Sequence, residues 1–164
     1  MRVAAVIVLV AALVMPATAA TNATDEAAPN TTLKEATIAE LFRAFDLFGT
    51  WAADCGRPPA PDNPHVGVIE QSPGLLFEMH DVGPDYVANR YSVLSARRVA
   101  ADRLEVEVIF LPGEQGEERQ TLVMRVRDGT RRTIFNQPEG GAVRVKDGVA
   151  LANGSKTPLL KKCG

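Results

Sequence analysis

The chain is poor in cysteine, histidine and aromatic side chains. Its 164 residues include two cysteines, two histidines and one tryptophan, and no Cys-x-x-Cys motif that would hold a zinc ion or form a redox pair. With 18 basic and 20 acidic side chains it also lacks the concentrated positive charge that nucleic acids and anionic membranes attract. We therefore expect no metal, no cofactor and no nucleic acid partner.

Long apolar runs are also scarce, and the one that exists lies at the start. Arg2 precedes an apolar stretch over residues 3–15, and residues 17–19 supply the small-x-small pattern that signal peptidase cleaves. The stretch is too short to span a bilayer as a helix, and no second one follows. The sequence predicts a signal peptide over residues 1–19 and a periplasmic or secreted protein with no membrane span. The Ala-, Val- and Arg-rich composition is typical of a high-GC bacterium and favours the periplasm.

One helix is predicted after a flexible leader over residues 20–32, which are small, polar and aperiodic. Apolar side chains recur at helical spacing over residues 37–48, and Thr37 with Glu40 matches a capping box. Thr32 with Glu35 matches the same box one turn earlier, so two starts are open. Gly49 is expected to end the helix. Its apolar face is expected to pack against a sheet through Phe42, Phe45 and Phe48.

Everything after Gly49 has the alternation of β-strands. We predict a single domain over residues 33–164, mostly β, with an antiparallel meander of about eight strands and one N-terminal amphipathic helix. The sheet closes as a barrel or curves strongly. Arg57 to Pro64 holds four prolines and is expected to form an extended loop. The expected strands span 50–54, 66–71, 75–81, 86–99, 104–110, 122–126, 130–136, 143–145 and 149–151.

The two cysteines, Cys55 and Cys163, flank nearly the whole β region. In an exported chain the only available pairing joins them. Because Cys55 follows the first strand and Cys163 is the penultimate residue, the bond is expected to staple the two ends of a closing sheet.

No residue pattern indicates catalysis. The serines lack a Gly-x-Ser-x-Gly elbow, and His65 and His80 have no partners at catalytic or metal-ligand spacing. We interpret His80 and the nearby Glu78 as solvated strand residues. A hydrolase would need one of the two histidines within reach of a carboxylate and a serine. We therefore predict that the protein is not an enzyme.

Two acidic residues, Glu105 and Glu107, alternate with apolar residues on one predicted strand. If the loop after Phe110 joins a hairpin, they are expected to pair across strands with Arg125 and Arg127 on the solvent face.

The sequence Gly49-Thr50-Trp51 follows the helix and opens the first strand. It resembles the first-strand motif of lipocalins and their calycin relatives. The resemblance implies an up-and-down barrel that Trp51 closes at the bottom and that holds a small apolar ligand. The chain departs from that family in lacking a Thr-Asp-x-Tyr motif and in placing its helix before the barrel. Residues 49–55 with the proline-rich loop also resemble uncharacterised secreted proteins of α-proteobacteria.

Two functions remain open on the sequence. The first is non-enzymatic binding of a small apolar or amphiphilic ligand in the barrel, because a closed barrel of about eight strands can hold one. The second is a protein-interaction module, an inhibitor or envelope factor, with a filled core and a proline-rich recognition loop. The candidate ligand-binding residues combine aromatic rings with one charge and are Trp51, Tyr86, Arg90 and Tyr91.

Overall fold

One short helix and ten strands make up the computed structural model, which describes residues 35–164. The predicted signal peptide (1–19) and leader (20–32) lie outside the described residues. The elements are α1 Ile38–Ala44, β1 Gly49–Ala52, β2 His65–Ser72, β3 Leu75–Asp81, β4 Asn89–Ala100, β5 Arg103–Phe110, β6 Glu118–Arg127, β7 Thr130–Pro138, β8 Val145–Lys146, β9 Val149–Ala150 and β10 Leu160–Lys162. Within the described part of the chain, no helix is long and apolar enough to cross a membrane.

The sheet closes on itself as an eight-stranded antiparallel barrel. Strands β1 to β7 pair in chain order, and β10 pairs with both β1 and β7 to complete the ring. The short strands β8 and β9 form a hairpin outside the ring. Strand β8 pairs with the C-terminal half of β7, at Phe135 and Asn136. The predicted antiparallel meander is confirmed, and of the two closures expected from the sequence the barrel is the one observed. Strand β10 was missed because Leu160 is its one buried residue and two exposed lysines follow, so its sequence shows no alternation.

Of the two starts that the sequence offers, the helix uses the capping box at Thr37 and Glu40, and it ends earlier than expected. Thr37 Oγ1 accepts from the backbone N–H of Glu40 at 3.2 Å, and the Thr37 N–H donates to the Glu40 carboxylate at 2.7 Å. The prediction that Gly49 ends the helix is wrong: Asp46 takes the left-handed conformation (φ 52°), and Gly49 opens β1. The early turn lets Leu47 enter the core, where it is fully buried.

The core fills the end of the barrel that the helix covers. Phe42, Leu47 and Trp51 are fully buried and pack with inward-facing residues of the strands. Phe45 is buried too, whereas Phe48 is only half-buried. The inward strand residues of this cluster are Val66, Val68, Leu76, Val93, Leu104, Val106, Val108, Met124 and Leu160.

The predicted disulfide lies at the seam where β1 pairs with β10. Cys55 and Cys163 are bonded, with their α-carbons 5.5 Å apart. The Cys163 N–H also donates to the Thr50 carbonyl at 2.8 Å, so the bond extends the pairing of β1 with β10.

Glu105 and Glu107 lie on the outer face of β5 as predicted, but they bond arginines other than the expected ones. Glu105 accepts from Arg97 on β4 at 2.5 Å, and Glu107 accepts from Arg119 on β6 at 3.0 Å. The expected pairing with Arg125 and Arg127 is wrong in register, because β6 begins at residue 118 and places residues 123 and 121 opposite the two acids. The four side chains still share the solvent face.

Candidate functional site

A cavity of about 720 Å³ occupies the half of the barrel that the core leaves unfilled, and it opens to solvent. No residue of α1 lines it. Its walls come from inward-facing residues of the barrel strands, from the β8–β9 hairpin and from the segment before β10. The apolar part of the wall includes Val66, Phe110, Leu122, Met124, Val145 and Leu160.

A buried ion pair crosses the lumen at the bottom of this cavity. Arg131 Nη2 donates to both carboxylate oxygens of Glu78, at 3.1 and 2.8 Å. The two strands that carry these residues, β3 and β7, are four steps apart in either direction around the ring, so the side chains meet across it. Their side chains are only 8% and 4% exposed. We call Glu78 and Arg131 the cross-lumen pair.

The cross-lumen pair is charged despite its burial. Burial raises the pKa of Glu78, but the charge of Arg131 and hydrogen bonds from His80 and Arg131 outweigh it and lower the pKa to about 2. Glu78 is therefore ionised at neutral pH, and Arg131 balances its charge.

A row of rings continues from the pair along the cavity wall. His80 Nε2 lies 3.3 Å from a Glu78 oxygen, and its ring centroid is 4.7 Å from that of Tyr91. The Tyr91 ring in turn lies 5.1 Å from that of Phe110. Burial and the negative charge of Glu78 raise the pKa of Tyr91 to about 12, so its hydroxyl stays protonated.

A second cluster of polar side chains lies nearer the opening of the cavity, and its members form hydrogen bonds with one another. Asn136 Nδ2 donates to Gln120 Oε1 at 2.7 Å, and Gln120 Nε2 donates to Glu118 at 2.6 Å. Arg144 holds the same carboxylate with two hydrogen bonds, at 2.7 and 2.8 Å. The hydrogen bond from Arg144 lowers the pKa of Glu118. This cluster fixes the segment before β8 against β6.

The proline-rich loop is held in place by one buried side chain. Asn63 is fully buried, accepts from the Asp54 N–H at 2.9 Å and donates to the Asp54 carbonyl at 3.0 Å. His65 Nε2 contacts the Arg57 carbonyl at 3.0 Å. Because Pro64 lines the cavity, this loop forms part of its rim.

Of the four candidate ligand-binding residues, the structure brings only Tyr91 to the cavity. Arg90 and Tyr91 are neighbours on β4 and point to opposite faces, and Arg90 bonds Glu114 on the outside at 3.2 Å. Tyr86 lies in the loop between β3 and β4 and is 59% exposed. Trp51 belongs to the core and donates to the Leu47 carbonyl at 2.8 Å.

The sequence interpretation missed the residues that give the cavity its polarity. Glu78 and His80 were expected on the solvent face, and that expectation is wrong: Glu78 is buried and both line the cavity. The misleading signal was the apolar Phe77 and Met79, which alternate with them on the outer face. The register with β2 pairs Val68 with Glu78, and it is this pairing that places the polar residues inside.

The described residues offer no metal-binding cluster. Within residues 35–164, no three His, Cys, Asp or Glu side chains come together in a way that could hold an ion. The chemistry the cavity does offer is an apolar wall, a charged floor and a phenol.

The fall in the free energy of unfolding at acidic pH should depend on Glu78. Its carboxylate stabilises the fold fully above the ordinary pKa of 4.5, and this contribution is lost as pH falls toward the folded value of about 2. Urea unfolding of the wild type between pH 6 and 2 should therefore show a decline that the double variant Glu78→Gln/Arg131→Met lacks in part. The exposed-site variant Glu105→Gln serves as the control. Identical pH profiles for the wild type and the double variant would contradict the assignment.

Comparison with known proteins does not identify a family for this chain. No family model, no curated protein and no solved structure matches the chain. The likeness of Gly49-Thr50-Trp51 to the lipocalin motif therefore stays a prediction.

Proposed function

We propose that the protein is a non-enzymatic binding protein of the bacterial periplasm that holds a small amphiphilic ligand in its barrel. The observation that carries this proposal is the cavity of about 720 Å³, which opens to solvent and is lined mainly by apolar side chains. Cavities of about 300–1,000 Å³ with a few placed polar groups are typical of small-molecule sites.

The distribution of polarity supports an amphiphile over a purely apolar ligand. The walls are apolar at Phe110, Leu122 and Val145, while the floor carries the cross-lumen pair. A ligand that fills this space meets a hydrocarbon surface along its length and charged groups at its inner end.

The rigid surroundings support binding as well. The ring is closed by β10, the disulfide joins Cys55 to Cys163, and Asn63 anchors the rim loop. Because the side chains and loops around a preformed cavity are already ordered, they lose little conformational entropy when a ligand binds. The disulfide also supports export, because such bonds persist in oxidising compartments such as the periplasm.

The proposal predicts saturable binding of the uncharged dye N-phenyl-1-naphthylamine, measured by its fluorescence. Leu122→Trp places a larger side chain in the cavity and should weaken dye binding at least tenfold. Val123→Trp is the matched control: the neighbouring side chain lies opposite Glu105 on the outer face and does not line the cavity. Its dye affinity should stay within about twofold of the wild type.

Equal dye affinity in both variants, or no saturable binding by the wild type, would contradict the ligand proposal. Native mass spectrometry of protein isolated from the periplasm then distinguishes the alternative function. A retained small molecule supports the binding protein, and a retained protein with an empty barrel supports the interaction module.

A further inference from the structure

One nitrogen of the cross-lumen pair has no partner. Arg131 Nη2 donates to both oxygens of Glu78, but Nη1 is buried and donates to no acceptor among the described residues. Only one other buried side-chain nitrogen of residues 35–164 shares this condition, Nε of Arg90, and Arg90 does not line the cavity. The unpaired donor of Arg131 is therefore the one associated with the site.

A buried N–H without an acceptor is costly. The donor has lost its hydrogen bonds to water and makes none within the protein. This desolvation costs about 1–3 kcal/mol of stability, and more for a charged group. No described side chain or backbone atom accepts a hydrogen bond from this nitrogen. Arg131 lines the cavity, but Nη1 itself has almost no accessible surface, so an acceptor atom supplied by a ligand satisfies the donor once the guanidinium turns toward the cavity.

The charge of the floor decides what kind of acceptor fits. Glu78 already neutralises Arg131, and its pKa of about 2 keeps it ionised. A ligand carboxylate bound to the same guanidinium would be a second negative charge beside Glu78 in a poorly solvated site, which disfavours its charged form. An uncharged acceptor satisfies the N–H without adding charge.

Resting on the proposed function, we propose that the ligand is an uncharged amphiphile that presents a carbonyl oxygen, as in an ester, amide or ketone, to Nη1 of Arg131. Its hydrocarbon part lies along Leu122 and Phe110 toward the mouth. The Glu78 carboxylate thus acts as a specificity determinant: by balancing Arg131 it rejects free acids that the guanidinium alone would attract.

The test compares three probes of one chain length: methyl decanoate, decanoate at pH 8 and decane. Each competes with N-phenyl-1-naphthylamine, and Trp51 fluorescence reports arrival at the floor, because its ring centroid lies 5.8 Å from Arg131 Cζ. In the wild type the ester should bind about tenfold more tightly than the acid. Glu78→Gln should reverse this order, since Arg131 then carries an unbalanced charge.

A second variant keeps the test decisive if Glu78→Gln fails to fold. In Glu78→Gln/Arg131→Met both charges are gone, so the affinity ratio of ester to decane should fall about tenfold from its wild-type value. Arg119→Met, on the outer face, should leave every ratio unchanged. An unchanged ester-to-decane ratio in the double variant, or tighter wild-type binding of the acid than of the ester, overturns the inference but leaves the binding function standing. Failure of all three probes and the dye to bind the wild type overturns the binding function itself.

Discussion

Arg131→Met should lower the free energy of unfolding by about 3–5 kcal/mol. The substitution leaves the Glu78 carboxylate buried, with the arginine charge that balanced it gone. Among residues 35–164, the remaining hydrogen-bond partner of Glu78 is His80, 3.3 Å away. Urea unfolding at pH 7, followed by circular dichroism, measures the loss.

The double variant Glu78→Gln/Arg131→Met should recover most of that loss, because replacing both members of a buried ion pair is often neutral or stabilising. Arg119→Met breaks an exposed pair of the same chemistry with Glu107, at 3.0 Å, and should change stability little. If Arg131→Met and Arg119→Met proved equally mild, the cross-lumen pair would not be the buried, mutually dependent unit described above.

Removing the disulfide should have a comparable effect through a different mechanism. The bond joins residues 108 positions apart, so the unfolded chain it constrains is nearly the whole domain. The chain-entropy argument gives about 4–5 kcal/mol for a loop of this size. The double variant Cys55→Ser/Cys163→Ser should therefore unfold at a markedly lower urea concentration than the wild type.

A reductant provides the internal control for that experiment. Dithiothreitol should bring the wild type to the stability of the serine variant and should leave the serine variant unchanged. A loss below about 1 kcal/mol would mean that the backbone pairing at the seam, not the bond, closes the barrel.

The sequence was sufficient for most of the strands and for the disulfide. Alternation located β3 at its observed bounds and β5 to within a residue, because one face of each strand is buried and the other is solvated. The cysteines had only one pairing available. The helix end was misplaced because Asp46 takes a left-handed conformation that favours glycine, and no local pattern announces it.

The site was harder to predict, for a physical reason. Charged residues are seldom buried, so Glu78 was assigned to solvent, and its partner lies 53 residues along the chain. Burial of either residue makes sense only when β3 and β7 face each other across a closed ring. Aromatic rings are often buried, which selected Tyr91 correctly but also selected Tyr86, whose ring is exposed. The cross-lumen pair exists only as a tertiary contact, so no local signal marks it.

The seam has a consequence for how the chain acquires its structure. Strand β10 pairs through two residues with β1 and through two with β7, and it begins at Leu160. Any nascent chain that stops short of it holds two edge strands whose backbone groups invite pairing with other molecules. The ring forms only when β10 arrives, so local folding of the early hairpins precedes a single late, long-range closure. The period before that closure is when the protein is most exposed to aggregation.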